Sequence, residues 1–534
     1  MAEIQKFKAT VPEMLFGDTA YAVETGVESA QQYAFPASSH SNAVSQFQIN
    51  VPNTSAVMDR RVLLEMPVQL TFACADVSPD TCLIDGRDAW RAYPLDAIMD
   101  NVKVTINGLG ISTQPRWNRI PLSMYAGDDA RRLLSSISPS QVDSYADYED
   151  AVGATNSPFG NIQGQEYSSA VGRAGYDWTI VSNTGTGAVV TAVLRTWIKL
   201  APFLFGNNDE AKGLVNVNDM LLTCSYVNLA RMWSRDNEGR PLTSLTVTLE
   251  KPTLYTTFYN AGLNTMIPSS VDYAYANIVI NDTAIGSVGP YAQSTRTTTA
   301  FRFDIVPSYI YLWVGRAFSD IDADVNKSVG TTDSVFSIQK VSILFDNRSS
   351  LLGEATPAQL YQFSVQEGLN QGFVSFVGRS QIIGSSRIGL GGSVLKISFG
   401  KMLGLKSGVL PGQSGVYNFT SSITFTNESK RTVDAASIYV LNVQEGLLRI
   451  GSGAASSYLG VMTAADYGSL EELPDVPQMP VHIYGGSFSS KAMQMLSSAV
   501  RNPKLCKAAT SKVCDMIAST ASGSAKGGRT LKSR

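Results

Sequence analysis

Two histidines, His40 and His482, are all the imidazole in a chain of 534 residues, and neither has a cysteine or an acidic motif beside it. A Ser-His-Asp triad, a zinc site of the HExxH kind and a His-rich cupin cluster each need more than that. Both histidines therefore read as surface or packing residues. No GxxxxGK[ST] phosphate loop is present, and IGLGGSV around Gly389 misses the GxGxxG spacing because Val394 stands where the last glycine belongs. That segment reads as a turn before a strand. The DIDAD run, Asp320 to Asp324, matches positions 1, 3 and 5 of a calcium loop. Position 6 is Val325 where the turn needs glycine, and position 12 is Thr331 where a bidentate Glu is needed, so a solvated loop is expected. Cys506 and Cys514 are eight apart, about two turns on one face of a helix, too far to bond to each other and placed for buried helix contacts. No catalytic, cofactor-binding or metal site is expected, and the chain does not read as an enzyme.

Charge supplies the one candidate contact. From Gly485 onward nine Lys or Arg face a single acid, Asp515, a net of +8 at the end of a chain whose overall charge is −3. Lys504, Lys507, Lys512, Lys526, Arg529, Lys532 and Arg534 could neutralise phosphates without reading sequence, in a salt-sensitive way. No aromatic residue stands among them to stack on bases, so sequence-specific recognition is not expected. A solubilising end with no ligand is the alternative.

The rest of the composition describes a β protein with much surface committed to neighbours. Only 16% of residues are charged, against roughly 25% in an ordinary soluble protein, while Gly (44), Tyr (22) and Phe (21) are abundant. Five cysteines, an odd number and without a CxxC pair, argue against a disulfide framework and for a reducing folding environment. The first residues lack the apolar core of a secretory signal, and no apolar run approaches the roughly 20 residues that span a bilayer. A soluble protein made in the cytoplasm is the expectation.

The elements that must carry these residues come in two copies. In Asp100 to Tyr125, Val102, Val104 and Ile106 alternate with Lys103 and Thr105, the period of a half-buried strand; Val341, Ile343 and Phe345 follow 239 positions later. Each strand leads through a polar turn to a short helix, with Pro121, Met124 and Tyr125 spaced like Pro357, Leu360 and Tyr361. Pro67 and its alternating strand match Pro307 and Ile310 at an offset of 240; VLRTWIKL from Val193 matches VLKISFGK from Val394 at 201; GLVNV from Gly213 matches GVYNF from Gly415 at 202. The falling offset implies an insertion of about 35 residues in the first copy, rich in Gly, Ser, Asn and Asp as long loops are. The predicted organisation is an N-terminal arm over 1–44, a first β-sandwich over 45–262 with a long loop at 126–192, a second over 263–450, a connecting segment over 451–490, and a helical then flexible basic tail over 491–534. Many short strands without βαβ alternation indicate an all-β fold, two tandem jelly rolls.

Tandem β modules, VTINGLGIS before a short PLSMY helix, LAPFLFG ahead of GLVNV, and absent catalytic groups make this sequence resemble the double jelly-roll major capsid proteins of tailless icosahedral DNA viruses, the lineage of membrane-containing bacteriophages, adenovirus, virophages and polinton-like viruses. The resemblance covers about residues 45 to 450. It implies a homotrimer with a pseudo-hexagonal outline that tiles a virion shell, penton or minor capsid proteins as further partners, and outward-pointing loops at 126–192. It also implies that the arm and tail lie at the base, near the genome, an inner membrane or neighbouring trimers. Two other readings stay open. A single-roll coat protein with a protruding domain would have a second half unlike the first; a carbohydrate-active β-sandwich would need a cleft with paired carboxylates or aromatic platforms, and Glu65 and Asp304 are candidates for the carboxylates by position.

Overall fold

The computed structural model describes residues 30–460, except 54–55, 76–80, 84–86, 127–134, 141, 152–177, 201–202, 204–212, 237–241, 261–266, 323–328, 382–386, 406–408 and 410. The first half carries β1 (Ala30–Pro36), β2 (Val44–Ile49), β3 (Leu63–Cys74), β4 (Met99–Ile106), β5 (Leu109–Thr113), β6 (Gly187–Trp197), β7 (Met220–Tyr226) and a last strand in two pieces, β8 (Leu242–Leu249) and β9 (Thr253–Asn260). The second half carries β10 (Ser270–Val288), a split second strand of β11 (Gln293–Thr297) and β12 (Phe301–Ile305), then β13 (Tyr309–Arg316), β14 (Ser337–Phe345), β15 (Arg348–Leu351), β16 (Leu395–Ser398), β17 (Ser414–Thr426) and β18 (Val433–Gly451).

Both halves have one topology. In the first, one sheet runs β1-β9-β3-β6 with β8 also on β3, and the other runs β2-β7-β4-β5. In the second, the sheets run β10-β18-β13-β16 and β11-β17-β14-β15, with β12 also on β17. Counted along either half, the sheets are first-last-third-sixth and second-seventh-fourth-fifth, the arrangement of a jelly roll. Alternation fills the space between them: Leu64, Met66, Val68, Leu70 and Phe72 of β3 face Val102, Val104 and Ile106 of β4 within one buried cluster, and Ile310, Leu312 and Val314 share another with Val341, Ile343 and Phe345. The repeated segments fall on equivalent third, fourth and sixth strands and on the approach to or start of the seventh. The reading of a single roll with an unrelated protrusion is thereby overturned.

Local chemistry explains several details. Pro67 lies in the central strand β3, where a missing N–H is normally excluded. Its last-strand partner is broken there, between Leu249 and Thr253, and Glu250 N–H donates to the Pro67 carbonyl at 2.9 Å. The β4–β5 hairpin turns on Asn107 and Gly108, with φ of 46° and 85°, and the matching β14–β15 hairpin on Asp346 and Asn347, with φ of 46° and 63°. Two successive positive φ values make the tight turn whose twist suits antiparallel strands, which is why both copies place short polar residues or glycine there.

Four expectations are corrected. Residues 30–44 are not an arm: β1 pairs along its whole length with β9, and Ser39–His40 pairs with β2, so the first roll begins before residue 45. The second roll extends past residue 450, with Ala455–Leu459 pairing with β18. Cys74 and Cys82 form a disulfide across Cα atoms 5.9 Å apart, which the odd cysteine count had argued against. Helix α2 (Pro115–Tyr125) holds Pro121 in its interior, whereas Pro357 starts α5 (Pro357–Gln366) behind a Thr356–Gln359 capping box; the shared spacing is not a shared position, and Pro115 is the counterpart of Pro357. The intervening helices are α3 (Tyr148–Ala151) and α4 (Phe318–Asp322), after α1 (Pro94–Ile98) in the first roll; α6 (Phe373–Val377) closes the set used below.

Candidate functional site at the joint between the two rolls

A dense polar cluster lies where the rolls meet. Arg91, just ahead of α1, is fully buried, and its guanidinium donates to the carbonyls of Arg231 (2.9 Å), Thr331 (2.8 Å) and Trp233 (3.3 Å) and to Tyr148 Oη (3.1 Å). Arg119, on α2, donates to the Ala92 carbonyl at 2.9 Å and to Asp333 Oδ2 at 2.7 Å. Arg231 donates to Asp333 Oδ1, which also lies 3.3 Å from Arg91 Nη1. One carboxylate of the second roll is thus held by three guanidiniums of the first. Asp143 supports it from behind, its Oδ2 accepting from the Asp333 N–H (2.7 Å) and from Tyr148 Oη (3.1 Å).

Electrostatics make this joint all or nothing. Burial by itself would raise the Asp333 carboxyl, but Arg119, Arg91 and Arg231 outweigh it and hold the group well below the usual carboxylate range. Burial first, and then the neighbouring Arg91, pull the Arg231 guanidinium down to about 9, so it stays charged at neutral pH. Beneath the cluster Asp88 accepts from Trp233 Nε1 (2.9 Å) and Arg235 Nε (2.6 Å), and Trp233 packs on Trp90 and Phe72 with ring centroids 5.1 and 5.2 Å away.

A strap from the first roll's insertion closes one side. Tyr145 bridges to Leu390, and Ala146 N–H donates to the Gly389 carbonyl at 2.9 Å. Asp147 accepts from Ser429 Oγ and the Lys430 N–H, both at 2.9 Å; Lys430 Nζ reaches Glu149 at 2.7 Å and Asp150 at 3.3 Å, and Arg431 pairs with Glu149. The hydrogen bond from Lys430 is the main cause that lowers the Glu149 carboxyl. Gly389 must be glycine here, since a Cβ would lie 2.1 Å from the Glu428 carbonyl oxygen. The insertion is therefore no free outward loop where it is described: Asp143–Ala151 lies in the joint, and Trp178–Asn183 adds a strand to β6.

Apolar contacts complete the joint. Helix α2 crosses onto the second roll: Met124 is buried in that roll's core, Trp117 packs on Phe318 and Tyr439 at 4.4 and 5.4 Å, and Tyr125 lies tilted against Tyr311 at 5.1 Å while its hydroxyl donates to the Val394 carbonyl at 2.9 Å. In return Tyr273, Leu448 and Ile450 enter the first roll's core, and Tyr273 Oη accepts from the Val215 N–H at 2.9 Å. The two rolls form one compact unit.

Met124, Tyr125, Thr331 and Gly389 lie in this joint, and the other residues singled out from sequence lie elsewhere. His40 tethers Ser39–His40 to β8: Nε2 donates to the Leu249 carbonyl (2.9 Å), and Nδ1 shares a hydrogen bond with Ser45 Oγ (2.8 Å). Glu65 is paired with Arg195 at 2.7 Å on β3, while Asp304 is exposed on β12, a strand of the other roll, so the two make no catalytic pair. Asp320 is buried in α4 and bound to Arg316 at 3.1 Å, and Thr331 supports Arg91 and Arg231; among the described residues no group of His, Cys, Asp and Glu is arranged to hold a metal. His482, Asp324, Cys506, Cys514 and the tail residues Lys504, Lys507, Lys512, Lys526, Arg529, Lys532 and Arg534 lie outside the described residues. Sequence reasoning missed the joint. Its only local trace is Arg next to or near Trp, in Trp90-Arg91 and Arg231-Met232-Trp233.

Comparison with known proteins agrees with this architecture. Residues 10–266 match the family model described as the Sputnik virophage major capsid protein 1st domain, and residues 277–446 match the major capsid protein V20 C-terminal domain. The division between the models falls between β9 and the body of β10. The putative capsid protein V20 of Sputnik virophage is 29% identical over 504 residues, covering 90% of this chain and 84% of that protein. The cryo-EM structure of the Sputnik virophage contains a chain that superposes with a TM-score of 0.79 at 28% identity, over 90% of this chain and 96% of that one. The mavirus major capsid protein shares the fold, with a TM-score of 0.65 at 18% identity over 87% and 95% of the two chains. The order of strands and these matches together place the chain in the double jelly-roll major capsid protein family, as a virophage-type coat protein.

Proposed function

We propose that three copies of this chain close into a capsomer of pseudo-hexagonal outline, and that such capsomers tile an icosahedral shell. The observation that carries this reading is the pair of rolls with one strand order, fixed to each other by a buried joint: three rigid pairs supply six similar faces, which is what a hexagonal tile needs. The low charge content fits flanks buried against copies of the same chain. Light scattering of the purified protein is expected to give a mass of three chains of 57.4 kDa, and negative-stain microscopy hexagonal particles or sheets. A monomer across all salt conditions overturns the reading.

Within that assembly the basic tail is assigned to phosphate contact at the inner face, and penton or minor capsid proteins are the further partners. Deleting residues 517–534 removes Lys526, Arg529, Lys532 and Arg534. It is expected to reduce retention on nucleic acid at low salt and to flatten its salt dependence. Unchanged retention leaves the tail a solubilising role only.

A further inference from the structure

The two first-last-third-sixth sheets are alike in topology and unlike in what covers them. In the second roll, β13 is buried on both faces from Ile310 to Gly315, where α2 of the first roll lies against β13 and β18 through Trp117 and Tyr125, and all of β16 is buried, with α5 of its own roll packed on it. In the first roll the equivalent strands alternate: β3 and β6 bury one face only, and Leu63, Pro67, Val193 and Trp197 point half-open from the other, with the Glu65–Arg195 ion pair between them. These residues adjoin, since Leu63 stands opposite Trp197 on one side and Tyr255 on the other, and Pro67 stands opposite Val193. Nothing within the chain's described residues does for this face what α2 does for its counterpart.

The missing cover is present on the other roll. Helix α5 follows the fifth strand of the second roll as α2 follows that of the first, and with α6 it leaves apolar side chains in water: Val365 is 42% exposed, Phe373 44% and Val374 54%. They are three of the nine large apolar side chains exposed among the described residues. Phe373 is held ready by Tyr361, ring centroids 5.2 Å apart, and Tyr361 in turn by Phe376 at 5.3 Å, so the patch sits on a packed base. Clustered exposed apolar groups on such a base mark an interaction site.

We infer that the α5–α6 patch of one copy docks on the open β3–β6–β9 sheet face of the next copy, repeating between chains the contact that α2 makes within the chain. This deepens the capsomer reading and rests on it. The contact is heterologous, helix patch to sheet face. Such contacts either run on as filaments or close into a ring; three chains give a ring in which every roll's sheet is covered by the helix of the roll before it. The occupant is a second copy because the same chemistry, an aromatic and aliphatic helix face on a sheet bearing aromatic and aliphatic side chains, already forms the joint between the rolls.

The test is Phe373→Asp with Val374→Asp in the full chain, and in parallel the milder Phe373→Ser with Val374→Ser. Both sites are exposed, so the circular dichroism spectrum is expected to match wild type while the scattering mass falls from three chains to one and the melting temperature loses its dependence on protein concentration. Val193→Asp, on the receiving face, is expected to do the same. A wild-type trimer together with a double variant that remains trimeric at low concentration overturns this contact and leaves the capsomer standing. A wild-type chain that is monomeric overturns both. A folded monomeric serine variant beside a trimeric wild type supports the contact even where the aspartate variant fails to fold.

Discussion

The Asp333 cluster and the Glu149 strap both tie the first roll to the second through carboxylates and cations, yet they differ in the one variable that decides what an ion pair is worth. Side chains of Asp333, Arg91, Arg119 and Arg231 are each exposed by 5% or less, whereas those of Glu149 and Arg431 are exposed by 25% and 30%. In the first case water cannot replace a lost partner; in the second it can. Breaking a buried pair from one side costs about 3–5 kcal/mol, while an exposed pair is worth about 0–1 kcal/mol. The joint therefore takes its rigidity from the cluster and the α2 contacts, and the strap aligns what they hold.

The widest test sets the cluster against the apolar core. Ile106→Asp buries a charge among Val104, Leu222 and their apolar neighbours, and is expected to cost more than about 4 kcal/mol, enough to remove soluble folded protein and with it any assembly. Phe345→Asp is expected to do the same to the second roll. Normal yield and assembly of either variant would mean that these fourth strands are not central.

Asp333→Asn comes next, at about 3–5 kcal/mol, because the neutral amide removes the buried carboxylate that three buried guanidiniums share. Urea unfolding reads this as a lower midpoint, and a shift no larger than about 0.5 kcal/mol, the size of an ordinary surface substitution, would remove the cluster from the account of the joint. The pH dependence has a definite sign. Asp333 is held below its unfolded value, so its contribution is full above about pH 4 and is lost as pH falls through the lower folded value. The difference between wild type and variant should stay constant from neutral pH down to about pH 4 and narrow only below it.

These two sites also show what could be read from the chain beforehand. Ile106 and Phe345 declare themselves through alternation and the tight turns that follow them, both of which are local, and the repeat of such local signals was enough to indicate two rolls. Asp333 declares nothing. Its partners Arg119 and Arg231 stand 214 and 102 residues away, and a Thr-Thr-Asp run reads as solvated until the fold brings it beneath Arg91. The strap is hidden for the same reason, with 282 residues between Glu149 and Arg431. Composition pointed the wrong way there, since a Ser- and Asp-rich insertion looks like a free loop. The Cys74–Cys82 bridge was missed because a cysteine count carries no geometry.

Glu149→Gln is the smallest effect and the sharpest separation of the two sites. Its loss should be below about 1 kcal/mol at low ionic strength and should vanish near 1 M salt, where the screening length falls to about 3 Å. Asp333→Asn, shielded from the solvent ions, should keep its cost at both salt levels. Glu149 is also lowered, by the Lys430 hydrogen bond first, so its small contribution too is present above about pH 4.3 and lost as pH falls further. Matched urea titrations of both variants at low and high salt read the contrast directly. Equal salt sensitivity would mean that the Asp333 cluster is as wet as the strap, and that the rolls are held together by the apolar contacts of α2, Tyr273, Leu448 and Ile450.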